Sequence, residues 1–167
     1  MENPDKNKIE QIINNRNNME IIIRRIEEND FPQMALLFSE FAAFQNMPER
    51  MTNSLERMKK EKDFIFGFVA VTEDNAVIGY ATCFFAYYTW TGKSLYMDDL
   101  FVKQKYRGKG VGTRLLENVI DLARYAQCHK LRWQVSHWNN RAQQFYKNMG
   151  AVIDDIEFNC DLALGKS

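Results

Sequence analysis

A glycine-rich segment between a predicted strand and a predicted helix places the strongest constraint on the fold. Glycines occupy positions 108, 110 and 112, after an apolar strand pattern over 94–102 and before apolar residues at helical spacing over 112–128. Alternate glycines leave backbone N–H groups unshielded, and the start of a helix adds the positive end of its dipole. The segment therefore predicts an anion-binding turn in a strand–turn–helix unit, with positive charge added by Arg107 and Lys109.

The spacing of these glycines excludes two common phosphate-binding loops. A Walker loop ends in Gly-Lys followed by Ser or Thr, whereas here Gly110 is followed by Val111 and Gly112. A dinucleotide fingerprint requires GxGxxG after an early strand of a βαβ unit, whereas here the spacing is GxGxG after several consecutive strands. The alternative that stays open at this point is a glycine turn that only caps the following helix.

The rest of the chain predicts an α/β protein with elements in the order β-α-α-β-β-β-α-β-α-β. Asp30 is predicted to be the N-cap of the first helix, which has Pro32 in its first turn. The predicted strands cover 19–26, 64–72, 76–88, 94–102 and 131–136, with one or two more in 151–164. The predicted helices cover 30–44, 49–61, 112–128 and 139–149.

Length and patterning predict one domain preceded by a polar extension. The 167 residues are 46% hydrophobic, which is enough for one core, and no repeat or low-complexity linker interrupts them. Residues 1–18 are polar and rich in asparagine, so they are predicted to be an N-terminal extension, with a single domain over 19–167.

Charge and composition argue against several classes of function. Lys plus Arg and Asp plus Glu both number 22, which predicts no nucleic-acid partner and no membrane surface partner. The basic stretch 103–109 is too short to change that expectation. Three separated cysteines and two histidines predict no metal site and a reducing compartment. With no signal-peptide pattern and no apolar run near 20 residues, we expect a soluble cytoplasmic protein.

The glycine segment resembles the motif of the GNAT (GCN5-related N-acetyltransferase) superfamily. That motif is a strand, then Q/R-x-x-G-x-G/A, then a helix, and residues 107–112 read RGKGVG. The order of elements over roughly 20–165 is also similar. The resemblance implies a GNAT fold, in which a central mixed, mostly antiparallel twisted sheet is splayed at the CoA site and flanked by helices.

Other segments resemble the diamine (spermidine/spermine) and thialysine acetyltransferases within that superfamily. They are Y-x-T-W-x-G at 87–92, L-Y-x-D-D at 95–99, W-N-x-x-A at 138–142, F-Y-K at 145–147 and G-A at 150–151. The resemblance implies transfer of an acetyl group from acetyl-CoA to a primary amine of a small cationic substrate, such as a diamine, a polyamine or a lysine-like amino acid.

The resemblance also implies which residues bind the cofactor. Backbone groups of the strand before the glycine turn would bind the pantetheine and the acetyl carbonyl, the turn and the start of the helix would bind the pyrophosphate, and two later residues would contact the other end of CoA. These residues are Leu100, Phe101, Val102, Arg107, Gly108, Lys109, Gly110, Val111, Gly112, Thr113, Asn139 and Arg141. For Asn139 a helix N-cap is the alternative role.

Two residues are candidates for catalysis. Tyr146 matches the general acid of the family, a phenol that protonates the departing thiolate after direct attack by the amine. An acyl-cysteine is not needed in this mechanism. Asp98 is predicted to face the substrate, as a base acting through water or as an anchor for a cationic group. Because alternate residues of a strand point to opposite faces, Asp99 is expected on the other side. The alternative is that both are surface charges at a sheet edge.

Several departures from the polyamine enzymes leave the substrate open. Asp98 stands where they usually have Glu, and Phe44-Gln45 stands where they have an aromatic and an acidic residue. With Asp99 and Trp90, these residues form the predicted substrate-binding set. Two other functions stay open: acetylation of a protein or peptide, and a non-catalytic regulatory module that binds CoA. The resemblance and the aromatic stretch 84–90 also imply a homodimer.

Overall fold

The computed structural model describes residues 20–156 and residue 160. These residues fall into two compact units, which divide between Trp133 and Gln134. No helix among the described residues has the length and apolar character needed to cross a membrane. The predicted N-terminal extension lies outside the described residues, as does half of the last predicted strand region, 151–164.

The first unit contains a five-stranded sheet whose strands lie side by side in chain order. Its strands are β1 (Ile21–Arg25), β2 (Gly67–Thr72), β3 (Val77–Tyr88), β4 (Gly92–Val102) and β5 (Lys130–Arg132). Neighbouring strands are antiparallel except β4 and β5, which are parallel. All residues of β2 are buried, as expected for a strand that is covered on both faces. The predicted mixed, mostly antiparallel sheet is therefore confirmed.

This unit has three helices, of which the first and third pack on the sheet and the second packs on the first. They are α1 (Phe31–Phe44), α2 (Leu55–Lys60) and α3 (Val111–Tyr125). Parallel strands need a long crossover, and α3 supplies it between β4 and β5 while packing on β2, β3 and β4. On the α1 side, Phe38 meets Tyr80 edge-to-face at 5.0 Å between ring centroids, and Phe41 lies 5.4 Å from Phe101.

Asp30 is the N-cap residue of α1, as the sequence predicts, but its side chain has a different role. Its carboxylate makes two hydrogen bonds of 2.7 Å with the Arg24 guanidinium and accepts the Glu27 N–H at 2.8 Å. The Asp30 side chain makes no capping hydrogen bond to α1. This buried carboxylate therefore ties β1 to the start of the helix instead of satisfying the helix's own amides.

The prediction of one continuous helix over 49–61 is wrong. The chain makes a 3-10 turn at Pro48–Arg50 and starts α2 only at Leu55. Ser54 is the N-cap of α2, and its hydroxyl accepts the Arg57 N–H at 3.2 Å. Thr, Asn and Ser at 52–54 have side chains that hydrogen-bond the local backbone, which favours a helix start over a helix interior.

The second unit contains one helix, α4 (Asn140–Asn148), among the residues described there. The Asn139 side chain caps it by accepting the Ala142 N–H at 3.1 Å. Gly150 ends it with a left-handed φ of 88° and an N–H that donates to the Lys147 carbonyl at 3.0 Å. No strand is present over 151–156, and the rest of the predicted final strand region is outside the described residues except Cys160.

Candidate active site

Half of strand β4 lacks a partner on the β5 side. The pairing of β4 with β5 covers only Ser94–Tyr96 on β4 and Lys130–Arg132 on β5. Beyond that point, residues 97–102 pair with β3 alone among the described strands. Peptide groups on this side of Leu100, Phe101 and Val102 therefore border an opening in the sheet. This opening agrees with the splay that the resemblance implies.

The glycine turn follows the open part of β4 directly. Gly108 and Gly110 have left-handed φ values of 75° and 78°, which favour glycine. A Cβ atom on either would meet nothing within 4 Å, so both glycines face open space. Gly110 is the N-cap of α3, and the amides of its first turn, Val111, Gly112 and Thr113, have no acceptor within the helix. The turn therefore offers several amides and a helix dipole to an anion.

Arg107 connects the glycine turn to the end of β4 through a hydrogen bond and ring contacts. Its Nε donates to the Val102 carbonyl at 2.7 Å, and its guanidinium lies over the rings of Phe44 at 4.4 Å and Phe101 at 5.3 Å. Its amide donates to the Gln104 carbonyl at 3.2 Å. The Val102 carbonyl and the Arg107 amide, both predicted to meet the cofactor, are thus engaged within the protein. Arg107 holds the strand end and the turn in a fixed geometry.

The other basic residue of the turn, Lys109, has its Nζ 5.8 Å from the centroid of the Tyr106 ring. Asn139 and Arg141 belong to the second unit, where Asn139 is the N-cap of α4 and Arg141 is exposed. The cap that the sequence offered as an alternative role for Asn139 is therefore present. A further role of either residue toward CoA stays a prediction.

Both aspartates of β4 line the same cavity because the strand contains a β-bulge. Cys83 pairs with Met97 and Ala81 pairs with Leu100, so Asp98 and Asp99 together stand opposite the single residue Thr82. An extra residue interrupts the alternation of side chains between the two faces. The expectation that Asp99 lies on the side opposite to Asp98 is therefore wrong, because it assumed a regular strand.

The cavity has a volume of about 430 Å³, in the range of roughly 300–1,000 Å³ that is typical of small-molecule sites. Aromatic, methionine and other apolar side chains of α1, the α1–α2 connection, β3 and the segment before β2 supply most of its wall. Its lining residues are Phe38, Phe41, Ala42, Gln45, Met47, Arg50, Met51, Asn53, Phe64, Ile65, Phe66, Thr82, Cys83, Phe84, Asp98 and Asp99.

The apolar surroundings shift the acid–base equilibria of the cavity. Burial and the neighbouring Asp98 charge raise the pKa of Asp99 to about 7, and burial also raises the pKa of Asp98. Burial raises the pKa of the Cys83 thiol to about 11, with a small opposing effect of Arg25. Cys83 is therefore a protonated thiol at neutral pH and a poor nucleophile. Asp99, in contrast, can take up and release a proton near neutrality.

The other predicted substrate residues have different positions. Gln45 lines the cavity. Phe44 is outside the lining and lies under the Arg107 guanidinium instead. Trp90 is in the turn between β3 and β4 with 96% of its surface exposed, and it does not line the cavity. Its predicted role in substrate binding therefore has no counterpart in this unit.

Tyr146, the predicted general acid, lies on α4 in the second unit. Only 6% of its surface is exposed, and its ring centroid is 5.2 Å from that of Phe145. Its carbonyl accepts the Ala151 N–H at 3.0 Å, within the turn that ends the helix. A buried position agrees with either a packing or a catalytic role, so its function stays a prediction.

Sequence reasoning missed most of the cavity wall, including Arg50, Met47 and Met51. These residues flank or belong to the 3-10 turn that replaces the predicted start of the second helix. The methionines that flank the turn, at 47 and 51, could have indicated an apolar contact. No sequence motif, however, distinguishes residues that line a cavity from residues of the core.

Comparisons with known proteins identify the class that this fold and site define. The profile of the acetyltransferase (GNAT) family matches residues 24–151, which include strands β2 to β5, the bulge and the glycine turn. The chain therefore belongs to the GNAT family and is an acetyl-CoA-dependent N-acetyltransferase.

Individual relatives are similar over most of the chain. The thialysine N-epsilon-acetyltransferase of Bos taurus is 31% identical over 142 residues, which cover 78% of this chain and 84% of the relative. The D-amino-acid N-acetyltransferase of Saccharomyces cerevisiae is 30% identical over 152 residues, covering 88% and 92%. A solved aminoglycoside acetyltransferase from an uncultured soil sample has the same fold, with a TM-score of 0.72 at 22% identity, covering 86% of this chain and 97% of that chain.

Proposed function

We propose that the protein transfers an acetyl group from acetyl-CoA to a primary amine of a small cationic molecule: a diamine, a polyamine or a lysine-like amino acid. The single observation that carries this proposal is the pair of adjacent carboxylates, Asp98 and Asp99, in one apolar cavity beside the open part of β4. The names of the relatives, which act on thialysine and on D-amino acids, support an amine of this size.

The main chemical obstacle for such a substrate is that its amine is protonated at neutral pH, and the carboxylate pair can accept that proton. An alkyl ammonium with a pKa of about 10.4 is neutral in only about one molecule per thousand near pH 7.4, a deficit of roughly 4 kcal/mol. A carboxylate pair in apolar surroundings attracts the cation. With the pKa of Asp99 raised to about 7, its carboxylate is a stronger proton acceptor than an ordinary aspartate. In this proposal Asp98 anchors the ammonium and Asp99 takes the proton, directly or through water.

The cofactor site of the proposal lies next to this pair on the same strand. Peptide groups of Leu100 and Phe101 would hold the pantetheine, and the amides from Gly108 to Thr113 would hold the pyrophosphate, because both sets border open space or lack helical acceptors. When bound there, acetyl-CoA supplies the activated acetyl group. The chain's own part is to orient the amine, remove its proton and exclude water.

Tyr146 is the proposed proton donor for the sulfur that leaves, through its Oη atom. Attack by the amine is direct, since the protonated Cys83 thiol is a poor candidate for carrying an acyl group. Replacement Tyr146→Phe keeps the ring and removes only the hydroxyl. We expect it to lower kcat about 100-fold or more and to leave the Kd for CoA nearly unchanged. Tyr125→Phe, at a tyrosine 90% exposed on α3, is the matched control. Equal kcat in Tyr146→Phe and wild type would remove Tyr146 from the mechanism.

An amine panel tests the proposed activity. Release of free thiol from acetyl-CoA would be followed with putrescine, spermidine, L-lysine and a short peptide with a blocked N-terminus and one lysine. We expect thiol release with at least one small amine and little with the peptide. Preference for the peptide would favour protein acetylation, and binding of CoA without turnover on any amine would favour a regulatory module.

A further inference from the structure

Among the described residues that line the cavity, one side chain is basic, and the others are apolar, acidic or neutral polar. Arg50 closes the 3-10 turn Pro48–Arg50 between α1 and α2, and the cavity-lining residues Met47 and Met51 flank that turn. The acidic residues, Asp98 and Asp99, belong to a different element, the bulge of β4. The cavity therefore carries negative charge on the sheet and positive charge on the connection between the helices.

The Arg50 side chain has no hydrogen-bond or ion-pair partner within the part of the chain that the structure describes. Three of the other arginines are engaged: Arg24 pairs with Asp30, Arg107 bonds to the Val102 carbonyl, and Arg124 pairs with Asp121. Its backbone N–H donates to the Met47 carbonyl at 3.0 Å, but no hydrogen bond or ion pair joins its guanidinium to another residue of 20–156. A guanidinium with five donors is thus presented at a cavity wall without an internal acceptor.

These observations distinguish between classes of amine. A diamine carries a second ammonium at its far end, and a polyamine carries further ammonium groups along its chain, so such a group would meet a like charge if it approached Arg50. An amino acid carries an ammonium for the aspartate pair and a carboxylate for the guanidinium, which matches carboxylates with a planar fork of donors. The apolar wall of phenylalanine and methionine side chains suits a methylene chain between the two groups.

We propose that Arg50 binds the carboxylate of the acceptor, and that the preferred acceptor is an amino acid whose side chain ends in a primary amine. This assignment rests on the proposed acetylation of small amines and narrows it to one class. Arg50 determines specificity by contact with the substrate, while the reaction at the amine stays with the aspartate pair.

The test uses two acceptors that differ only in the carboxylate, L-lysine and cadaverine. Initial rates of thiol release from acetyl-CoA would be measured with the full chain for wild type, Arg50→Gln, Arg50→Lys and the control Arg57→Gln. Arg57 is exposed on α2 and does not line the cavity. Circular dichroism would establish that each variant is folded, which is expected because Arg50 is exposed and its side chain makes no internal bond among the described residues.

We expect wild type to have a kcat/KM for L-lysine that exceeds that for cadaverine by roughly 10- to 100-fold, the effect of one charged hydrogen-bonded contact. Arg50→Gln is expected to lose this preference through a higher KM for L-lysine, with cadaverine unchanged or improved. Arg50→Lys should keep part of the preference for L-lysine over cadaverine, and Arg57→Gln should keep all of this preference.

Two results would overturn the assignment while leaving the proposed function intact: cadaverine or spermidine preferred over L-lysine by wild type, or an equal loss for both acceptors in Arg50→Gln. Thiol release with none of the amines would instead remove the proposed function, and the assignment of Arg50 with it.

Discussion

At the residue scale, Asp98 and Asp99 show how one irregularity changes the chemistry of two side chains. On a regular strand they would point to opposite faces, and each would be an ordinary surface charge. The bulge opposite Thr82 brings both into one apolar cavity, where burial raises the pKa of each and the Asp98 charge further raises that of Asp99. Asp99 retains less solvent access than Asp98, which agrees with its larger pKa shift.

This shift predicts a pH-dependent stability difference for Asp99→Asn. The folded pKa of Asp99 is raised from 3.8 to about 7, so the native state binds more protons than the unfolded state between these values. The stability of wild type therefore falls as pH rises through that window, whereas asparagine does not ionise. We expect the variant to gain on the order of 2 to 4 kcal/mol relative to wild type between about pH 4 and about pH 7.5.

Urea denaturation at both pH values would measure this difference, with Asp121→Asn, at an exposed aspartate of α3, as the control. A variant-to-wild-type difference that stays constant with pH would show that Asp99 ionises normally. In kinetics, the same variant should lose the rise of kcat/KM with pH near 7 if the ionised carboxylate takes the proton from the amine.

At the scale of elements, the sequence predicts regular structure well and irregular structure poorly. The amphipathic helix after the glycine turn and the buried strand β2 follow from periodicity, and their bounds differ from the predicted ones by a few residues. The break in the predicted helix 49–61 depends on competition between Ser54 capping and helix continuation. The β4 bulge depends on pairing with β3, which no local pattern contains. Both irregular elements contribute to the cavity.

The glycine turn gives a prediction that separates a structural role from a ligand role. At Gly112, a Cβ atom would meet Val102 Cγ2 at 3.9 Å, an ordinary contact, and no left-handed φ opposes a side chain. We therefore expect Gly112→Ala to leave the melting temperature unchanged or to raise it, because alanine in place of glycine stabilises a helix by up to about 1 kcal/mol. If the Gly112 amide faces the CoA pyrophosphate, the added methyl group should weaken CoA binding about 10-fold or more.

Thermal denaturation and titration with CoA would be measured on the same samples. Gly108→Ala is the comparison, because its left-handed φ of 75° makes a side chain costly to the fold itself. It should lower both stability and affinity. Unchanged CoA affinity in Gly112→Ala would instead support a turn that only caps α3.

At the scale of the whole molecule, charge and exposed surface favour association. The formal net charge is zero, so long-range repulsion between copies is weak near neutral pH. On one face of β3 and in the turn after it, large aromatic side chains are exposed: 48% of Phe85, 79% of Tyr87 and 96% of Trp90. An aromatic group of this kind is typical of a surface that contacts a partner. It gives the proposed homodimer a specific location.

The dimer is therefore expected to depend on the β3–β4 hairpin rather than on apolar exposure in general. Placing a charge there, as in Tyr87→Lys or Trp90→Lys, should shift sedimentation velocity profiles toward the monomer, because a buried unpaired ammonium is costly at an interface. Tyr125→Lys removes an equally exposed aromatic ring, 90% exposed, from α3 and should leave the profile unchanged. A wild-type chain that sediments as a monomer up to high micromolar concentration would rule the dimer out. Dissociation by Tyr125→Lys to the same extent would instead move the interface away from the hairpin, since the two sites lie on different elements of the fold.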